Sequence, residues 1–565
     1  MIVTVYSKIK KIVQKGRKMK NILVVAYSIL LGLFLTVGVN AQTIKNPGVL
    51  VHAADDEATT LDPAQVEAGE GGETVILQVY DRLLEFGPSG PELIPGLATT
   101  VPSVENGMIS DDGMTYTFEI RKGAVFHDST NVTAEDVKFS WDRIVEMDLP
   151  EGQAGVISDI VADTQAVDDY TFQVTLLEPS ASFLNSTVVS MAASIVSKDA
   201  VMANGGVVEG EPNEYMAQNA VGSGPYRLKA WNRGENILLD INENYWGNKA
   251  KLAARIEIGA EPDVRVLGLR AGNYDTIETD PSFVADIEGA DGVTLHTGGL
   301  LLEPIHVGFN LNIPEGALPK EDTIPTDFFH DPRIRQAFNY AFDYEAFLYG
   351  PLAGFGEFNP HYLPIGIFGH DPDAPRYGAQ DKAKAEALFR EAGYWDNGFS
   401  VSVITEEANL FADAALVLKD SIEGLNPNFR INVLAVAEAV FDEAHAQNPV
   451  EYAMWVKNAD PFADPHPYMS AYQHPDGEWG EVHGFANGYR NPEKIAELID
   501  GASIELDVEK RAAMYSELQT LLFDDPMWLI TAQEGVTMAY RSWVKGFVHN
   551  PLWPRPSLRF AYLDK

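Results

Sequence analysis

The chain has 565 residues, 45% of them hydrophobic and 22% charged, enough for a large packed core and roughly three to four domain-sized units. Its formal net charge of −41 is unevenly placed, because the first 41 residues carry seven Lys or Arg and no acid, leaving 34 basic against 82 acidic residues. Such a surface repels nucleic acid and anionic lipid, and the absence of cysteine excludes thiol nucleophiles, Cys-ligated zinc, disulfides and a lipid-modified cysteine.

The basic lead from Lys8 to Lys20 and the apolar run from Ile22 to Val39 read as a signal peptide. Small residues at Val39-Asn40-Ala41 predict cleavage before Gln42, and Met19 offers a second start. An uncleaved anchor is the competing reading, since eighteen apolar residues almost span a bilayer. Gly32, Thr36 and Gly38 weaken the run and favour cleavage. The body is thus expected to be exported, periplasmic or secreted.

Residues 49–54 read as a first strand, followed by a loop at Leu61-Asp62-Pro63 and a helix over 74–84. The segment 111–137 reads as turn, strand, turn, helix. Asp112-Gly113 turns the chain, Tyr116, Phe118 and Ile120 alternate at strand spacing, and Lys122-Gly123 turns again. Thr133 then caps a helix with Glu135 and Asp136 in its first turn. Residues 171–176 alternate as a plain strand, and Gly222-Ser223-Gly224-Pro225 forces a tight turn into a strand at Tyr226. A helix opens at Asp331-Pro332, another covers 381–392 and is ended by Gly393, and a third covers 507–523. No internal repeat and no low-complexity linker is visible.

The order of residues from Asp111 to Val137 closely resembles the signature of the extracellular solute-binding proteins of the peptide-transporter type, family 5, with Ser129 where the family usually has Gly. Tyr80-Asp81-Arg82-Leu83-Leu84, the stretch from Pro91 to Ala98, Gly222-Ser223-Gly224-Pro225-Tyr226, Asn244-Tyr245-Trp246 and Asp331-Pro332-Arg333-Ile334-Arg335-Gln336-Ala337 match further landmarks in the family's order. His306 to Asn310 resembles its strand crossing between lobes. The resemblance implies an α/β, three-lobe type II periplasmic-binding-protein fold, with two lobes closing over a ligand cleft. It places the first lobe at 42–90, 218–302 and 531–565, the second at 91–217 and the third at 303–530. It also implies a monomeric receptor for an ATP-driven (ABC) importer, with short peptides as ligand, a membrane permease as partner, and no cofactor or metal.

Catalytic patterns are lacking: the chain has no His-Glu-x-x-His, no Gly-x-Ser-x-Gly elbow and no phosphate-cradling loop. Ser223 and His127 read as turn residues, Asp371-Pro372-Asp373 is too short for a calcium loop, and His466, His474 and His483 fit no defined ligand spacing. The richest segment is Met454 to Pro465, an apolar strand running into a loop of acids, aromatics and prolines. By the family's motif Asp460 pairs with a ligand's amino terminus and Trp455 lines the cleft, with Asp464 as the fallback acid. Phe462 belongs to the same loop, and Asp55 and Asp56 lie where the family's cleft begins. An oligosaccharide receptor resting on Trp platforms, and an exported glycosidase with a carboxylate pair, are the alternative readings.

Overall fold

The computed structural model describes residues 44–564 without 55, 67–70, 89, 150–153, 280, 298, 360, 408, 446–449, 460 and 554. The signal peptide with its cleavage site, Asp55 and Asp460 lie outside the described residues.

Three principal sheets organise the chain. The first has seven strands in the order Val293–His296, Met538–Arg541, Thr276–Glu278, Val49–Ala53, Ala253–Glu257, Asn236–Ile241, Tyr226–Asn232. Val49–Ala53 pairs in parallel with a strand on each side, and so reads as a continuous apolar run rather than an alternating one. Its neighbours come from distant parts of the chain, and the C-terminal strand Met538–Arg541 inserts antiparallel between two others of the same sheet. One lobe is therefore assembled from separated stretches.

The second lobe is built on three antiparallel strands, Thr115–Glu119, Thr171–Leu176 and Val161–Asp168. Tyr116 and Phe118 point inward, as their spacing predicts, and Phe118 pairs with Phe172 across the ladder. The helix Ala134–Met147 lays Trp141 edge-on against Phe172, with ring centroids 5.4 Å apart. Thr133 donates its backbone N–H and its hydroxyl to Asp136, which fixes the start of that helix.

The third lobe holds the largest core, on a six-stranded sheet in the order Gly356–Glu357, Trp528–Glu534, Ile305–Phe309, Met454–Asn458, Phe399–Glu406, Phe429–Val436. The helix Leu410–Glu423 makes the crossover between the two parallel strands Phe399–Glu406 and Phe429–Val436.

Two readings need correction. The helix expected over 74–84 spans Gly72–Val79, because Tyr80 turns extended and Leu84–Phe86 pairs antiparallel with Leu93–Pro95. A pairing partner a short loop away outweighs helical spacing there. The strand Ile305–Phe309 lies inside the six-stranded sheet, and the crossing between lobes occurs just before it. There residues 299–301 run antiparallel to 534–536, joined by Leu301 N–H to Glu534 C=O at 2.8 Å and Val536 N–H to Gly299 C=O at 3.2 Å.

Candidate functional site

The two crossing segments form the hinge. Gln533 is fully buried there, donating to the carbonyls of Leu301 and Ile365 and accepting from Asn359 and the Ile365 N–H. All its hydrogen-bonding capacity is used in fixing the third-lobe end of the hinge. At the first-lobe end, the Thr537 hydroxyl donates to Thr279 C=O at 2.7 Å.

The loop that follows Met454–Asn458 is strapped to this hinge. Asn458 donates to Glu303 at 2.8 Å, and the Ala459 N–H donates to Pro304 C=O at 3.2 Å. The Phe462 N–H reaches the Tyr468 hydroxyl, which itself donates to Leu302 C=O at 2.5 Å. Phe462 packs its ring edge-on against Tyr468. On its other side the loop ends at Asp464, which caps the helix Pro465–Tyr472 and takes a bidentate pair from Arg511 at 2.6 and 2.9 Å. Arg511 also donates to Ala502 C=O. The described residues of the loop are therefore bonded both to the crossing segment and to the helices.

Trp455 lies in the third-lobe core, with no exposed surface. It stacks on His483 at 4.0 Å and on Trp479 at 5.8 Å, and covers Gly308, where a Cβ would sit 2.2 Å from the indole. Its indole N–H has no hydrogen-bond partner among the described residues. Asp56 is exposed just after the first strand, beside Glu57, which accepts from Trp231 and the Gly234 N–H.

The remaining candidates have structural partners. His127 contacts Gly224 C=O at 3.1 Å, and burial pushes its imidazole down to about 4. Asp371 accepts from Ser516 and from the Asp373 N–H. His483 contacts Trp479 C=O and His474 faces Asp500. Among the described residues no group of three or more His, Cys, Asp or Glu could hold a metal ion. A cavity of about 40 Å³ in the third lobe, lined by His361, Gln473, Gln519 and Trp528 among others, takes no residue from the 454–465 loop.

Sequence reasoning did not single out Asp81. This buried carboxylate accepts from Ser223 at 2.9 Å, Tyr245 at 3.1 Å and the Trp246 indole at 2.9 Å. Burial and the Glu85 carboxylate push it up, while the indole and the Ser223 hydroxyl draw it down. Arg559 joins the group through Tyr245 and Glu85, and Arg121 lays its guanidinium over Trp246 at 4.1 Å. Gly222 and Gly224 approach the Val79 carbonyl so closely that a Cβ on either would lie within 2.7 Å of it. Four landmark segments thus meet at one joint, and their common presence in the sequence was its only signal.

Lobes built from interleaved chain segments, two hinge crossings and a loop braced against them define a solute-binding protein of the hinged α/β class. The family model of the bacterial extracellular solute-binding proteins, family 5, matches residues 92–480, and the chain belongs to that family. A protein of Escherichia coli (strain K12) named as a probable D,D-dipeptide-binding periplasmic protein is 27% identical over 526 residues, 91% of this chain and 93% of its own. A dipeptide-binding protein of the same organism is 25% identical, covering 89% and 92%. The fold matches that of the ABC transporter-associated periplasmic binding protein of Helicobacter pylori, solved with the peptide STSA, with a TM-score of 0.73, 24% identity and 92% and 98% coverage. No helix among the described residues is long and apolar enough to cross a membrane.

Proposed function

We propose that this chain is the exported receptor of an ABC importer, which captures short peptides by closure of the first and third lobes and delivers them to a membrane permease. The observation that carries the reading is the match to peptide-binding relatives across about nine-tenths of both lengths. The receptor binds without turnover, works as a monomer, and is released by cleavage before Gln42. Its lobes follow the boundaries expected from the sequence.

Asp460 is the acid for the ligand's ammonium. Arg511 already engages Asp464, which favours Asp460 over its neighbour for that role. A charge-assisted bond in a closed cleft is strong because water is excluded from it. Phe462, Asp55 and Asp56 are the further ligand contacts in this reading, and Trp455, buried in the third-lobe core, supports the strand that carries the loop. Backbone hydrogen bonds to an extended peptide supply most of the remaining affinity.

A thermal-shift screen of the mature protein against di- to pentapeptides, cello-oligosaccharides and nickel-histidine tests this. Ligand at a hundredfold excess over its dissociation constant stabilises the native state by about 2.7 kcal/mol. A rise with peptides alone is expected. A rise with sugars alone overturns the peptide assignment, and hydrolysis of any of them overturns the receptor reading.

A further inference from the structure

The third lobe meets the second at the turn that ends the helix Pro492–Ile504. The helix Pro492–Ile504 ends with the Ser503 carbonyl, which lacks an intrahelical partner and accepts the Ala181 N–H of the second lobe at 2.8 Å. Three residues on, Leu506 packs on Gly113, where an added Cβ would stand 2.8 Å from the Leu506 Cδ1 and 3.5 Å from Pro179. Gly113 has φ +69, so the turn needs glycine for its backbone as well as for the space. The receiving segment is itself held from beneath, because the Tyr116 hydroxyl donates to Ser180 C=O at 3.2 Å.

The same turn is coupled to the ligand loop. Arg511 spans the two, with Nε on Ala502 C=O at 2.9 Å and both Nη atoms on Asp464. Ala463, the residue before Asp464, packs against the core that the second lobe shares with parts of the first. The turn that meets the second lobe and the end of the ligand loop are thus fixed by one guanidinium, on a residue 6% exposed.

We propose that the turn at 503–506 and the segment 179–181 form a closure latch, with Arg511 as the positioning residue that ties the latch to the ligand loop. This rests on the reading that closure captures the ligand. When the lobes part, the Ser503 carbonyl and Ala181 N–H return to water and Leu506 loses its seat. Since the contact lies outside the ligand loop, it adds to the stability of the closed form whatever the ligand.

The chain has no cysteine, so a pair introduced as Ala181→Cys with Ser503→Cys reports this contact without background. Residues joined by one backbone hydrogen bond fall within the Cα separation that a disulfide spans, about 4.4–6.8 Å. The initial rate of disulfide formation is measured in ligand-free protein by gel shift. Adding Leu506→Ser, at a position 40% exposed, is expected to slow it. The loss of one partly buried apolar contact predicts about a fivefold change. Arg511→Lys, with circular dichroism confirming the fold, is expected to slow it as well. Absence of the disulfide in the parent pair, or an unchanged rate with Leu506→Ser, overturns the latch. An unchanged rate in folded Arg511→Lys overturns the role of Arg511.

A second readout is trialanine dissociation by stopped flow, expected to quicken in Leu506→Ser with association unchanged. An unchanged dissociation rate overturns the coupling of latch to ligand. If trialanine fails to bind the parent protein, the peptide reading falls while the disulfide rate still decides the latch. If Arg511→Lys does not fold, Leu506→Ser decides between latch and no latch through both readouts.

Discussion

Trp246 donates its indole N–H to the Asp81 carboxylate at 2.9 Å across 165 residues of chain. Ser223 and Tyr245 donate to the same group, and Arg559 adds a guanidinium one bond further out. Removing the acceptor leaves three donors without their partner and takes one negative charge from the network that faces Arg559. Asp81→Ala is therefore expected to destabilise the protein by about 3–5 kcal/mol, the range for breaking one side of a buried charged network. Urea unfolding checks it, and a loss under about 1 kcal/mol shows that the donors find other acceptors.

Ser129 holds φ +75 in the turn after His127. A left-handed conformation costs a residue with a Cβ about 1–2 kcal/mol, partly offset by the greater freedom glycine has when unfolded. The side chain is exposed, so nothing else is lost. Ser129→Gly is expected to raise stability by about 0.5–1 kcal/mol. A denaturation midpoint equal to or below the parent's rules out strain at this position.

Gly308 lies directly beneath the Trp455 ring. A methyl group at 2.2 Å from Cζ2 forces the indole out of its stack with His483 and Trp479. Gly308→Ala is expected to cost about 1–3 kcal/mol, as overpacking does, and to change tryptophan fluorescence in the folded protein. An unchanged emission spectrum argues that the core yields elsewhere.

Buried imidazoles set the acid limit. Burial holds His306 at about 3 and His361 at about 4, below the ordinary value of about 6.5. The unfolded chain therefore binds more protons than the folded one between those values. The stabilising contribution of neutral, buried histidine is whole above pH ~6.5 and is lost as pH falls toward about 4 and below. Each full shift is worth about 3–5 kcal/mol as an order of magnitude. Urea midpoints taken from pH 8 to 4 are expected to fall below pH ~6.5, and His306→Phe to flatten that decline. A midpoint constant down to pH ~4 contradicts the burial of these rings.

Asp460→Asn is expected to weaken peptide binding by about 1.5–3 kcal/mol, the range for a hydrogen bond to a charged group. Titration calorimetry with a peptide that stabilises the parent protein checks it. Acetylating that peptide's amino terminus is expected to cost the parent a similar amount and the variant almost nothing, since both changes remove the same pair. Full affinity in Asp460→Asn moves the role to another acid.

Local chemistry made much of the frame legible. Asp331 and Pro332 open the helix Pro332–Ala341, Asp381 opens Lys382–Glu391, and Asp507 opens Val508–Asp524, each by side-chain capping near its expected start. The strand Thr171–Leu176 has the bounds its alternation predicts. Pairings over long separations were not legible. Nothing in Asp62 announces that Arg143 will reach it 81 residues on, and nothing in Asp464 announces Arg511. The helix 74–84 was overrun because Leu84–Phe86 answers to Leu93–Pro95 rather than to its own spacing. In the loop after Met454–Asn458, sequence named the acids but could not tell that Arg511 engages Asp464.

The joint around Asp81 separates two kinds of information in this chain. The residues that mark its lineage are busy tying distant stretches of the first lobe together, while the loop after Met454–Asn458 is fastened by different bonds, to the crossing segment and to Arg511. Changes in that loop therefore leave the Asp81 joint untouched, and the receptor body becomes a chassis for a new specificity as long as the anchors at Phe462, Ala463 and Asp464 are kept.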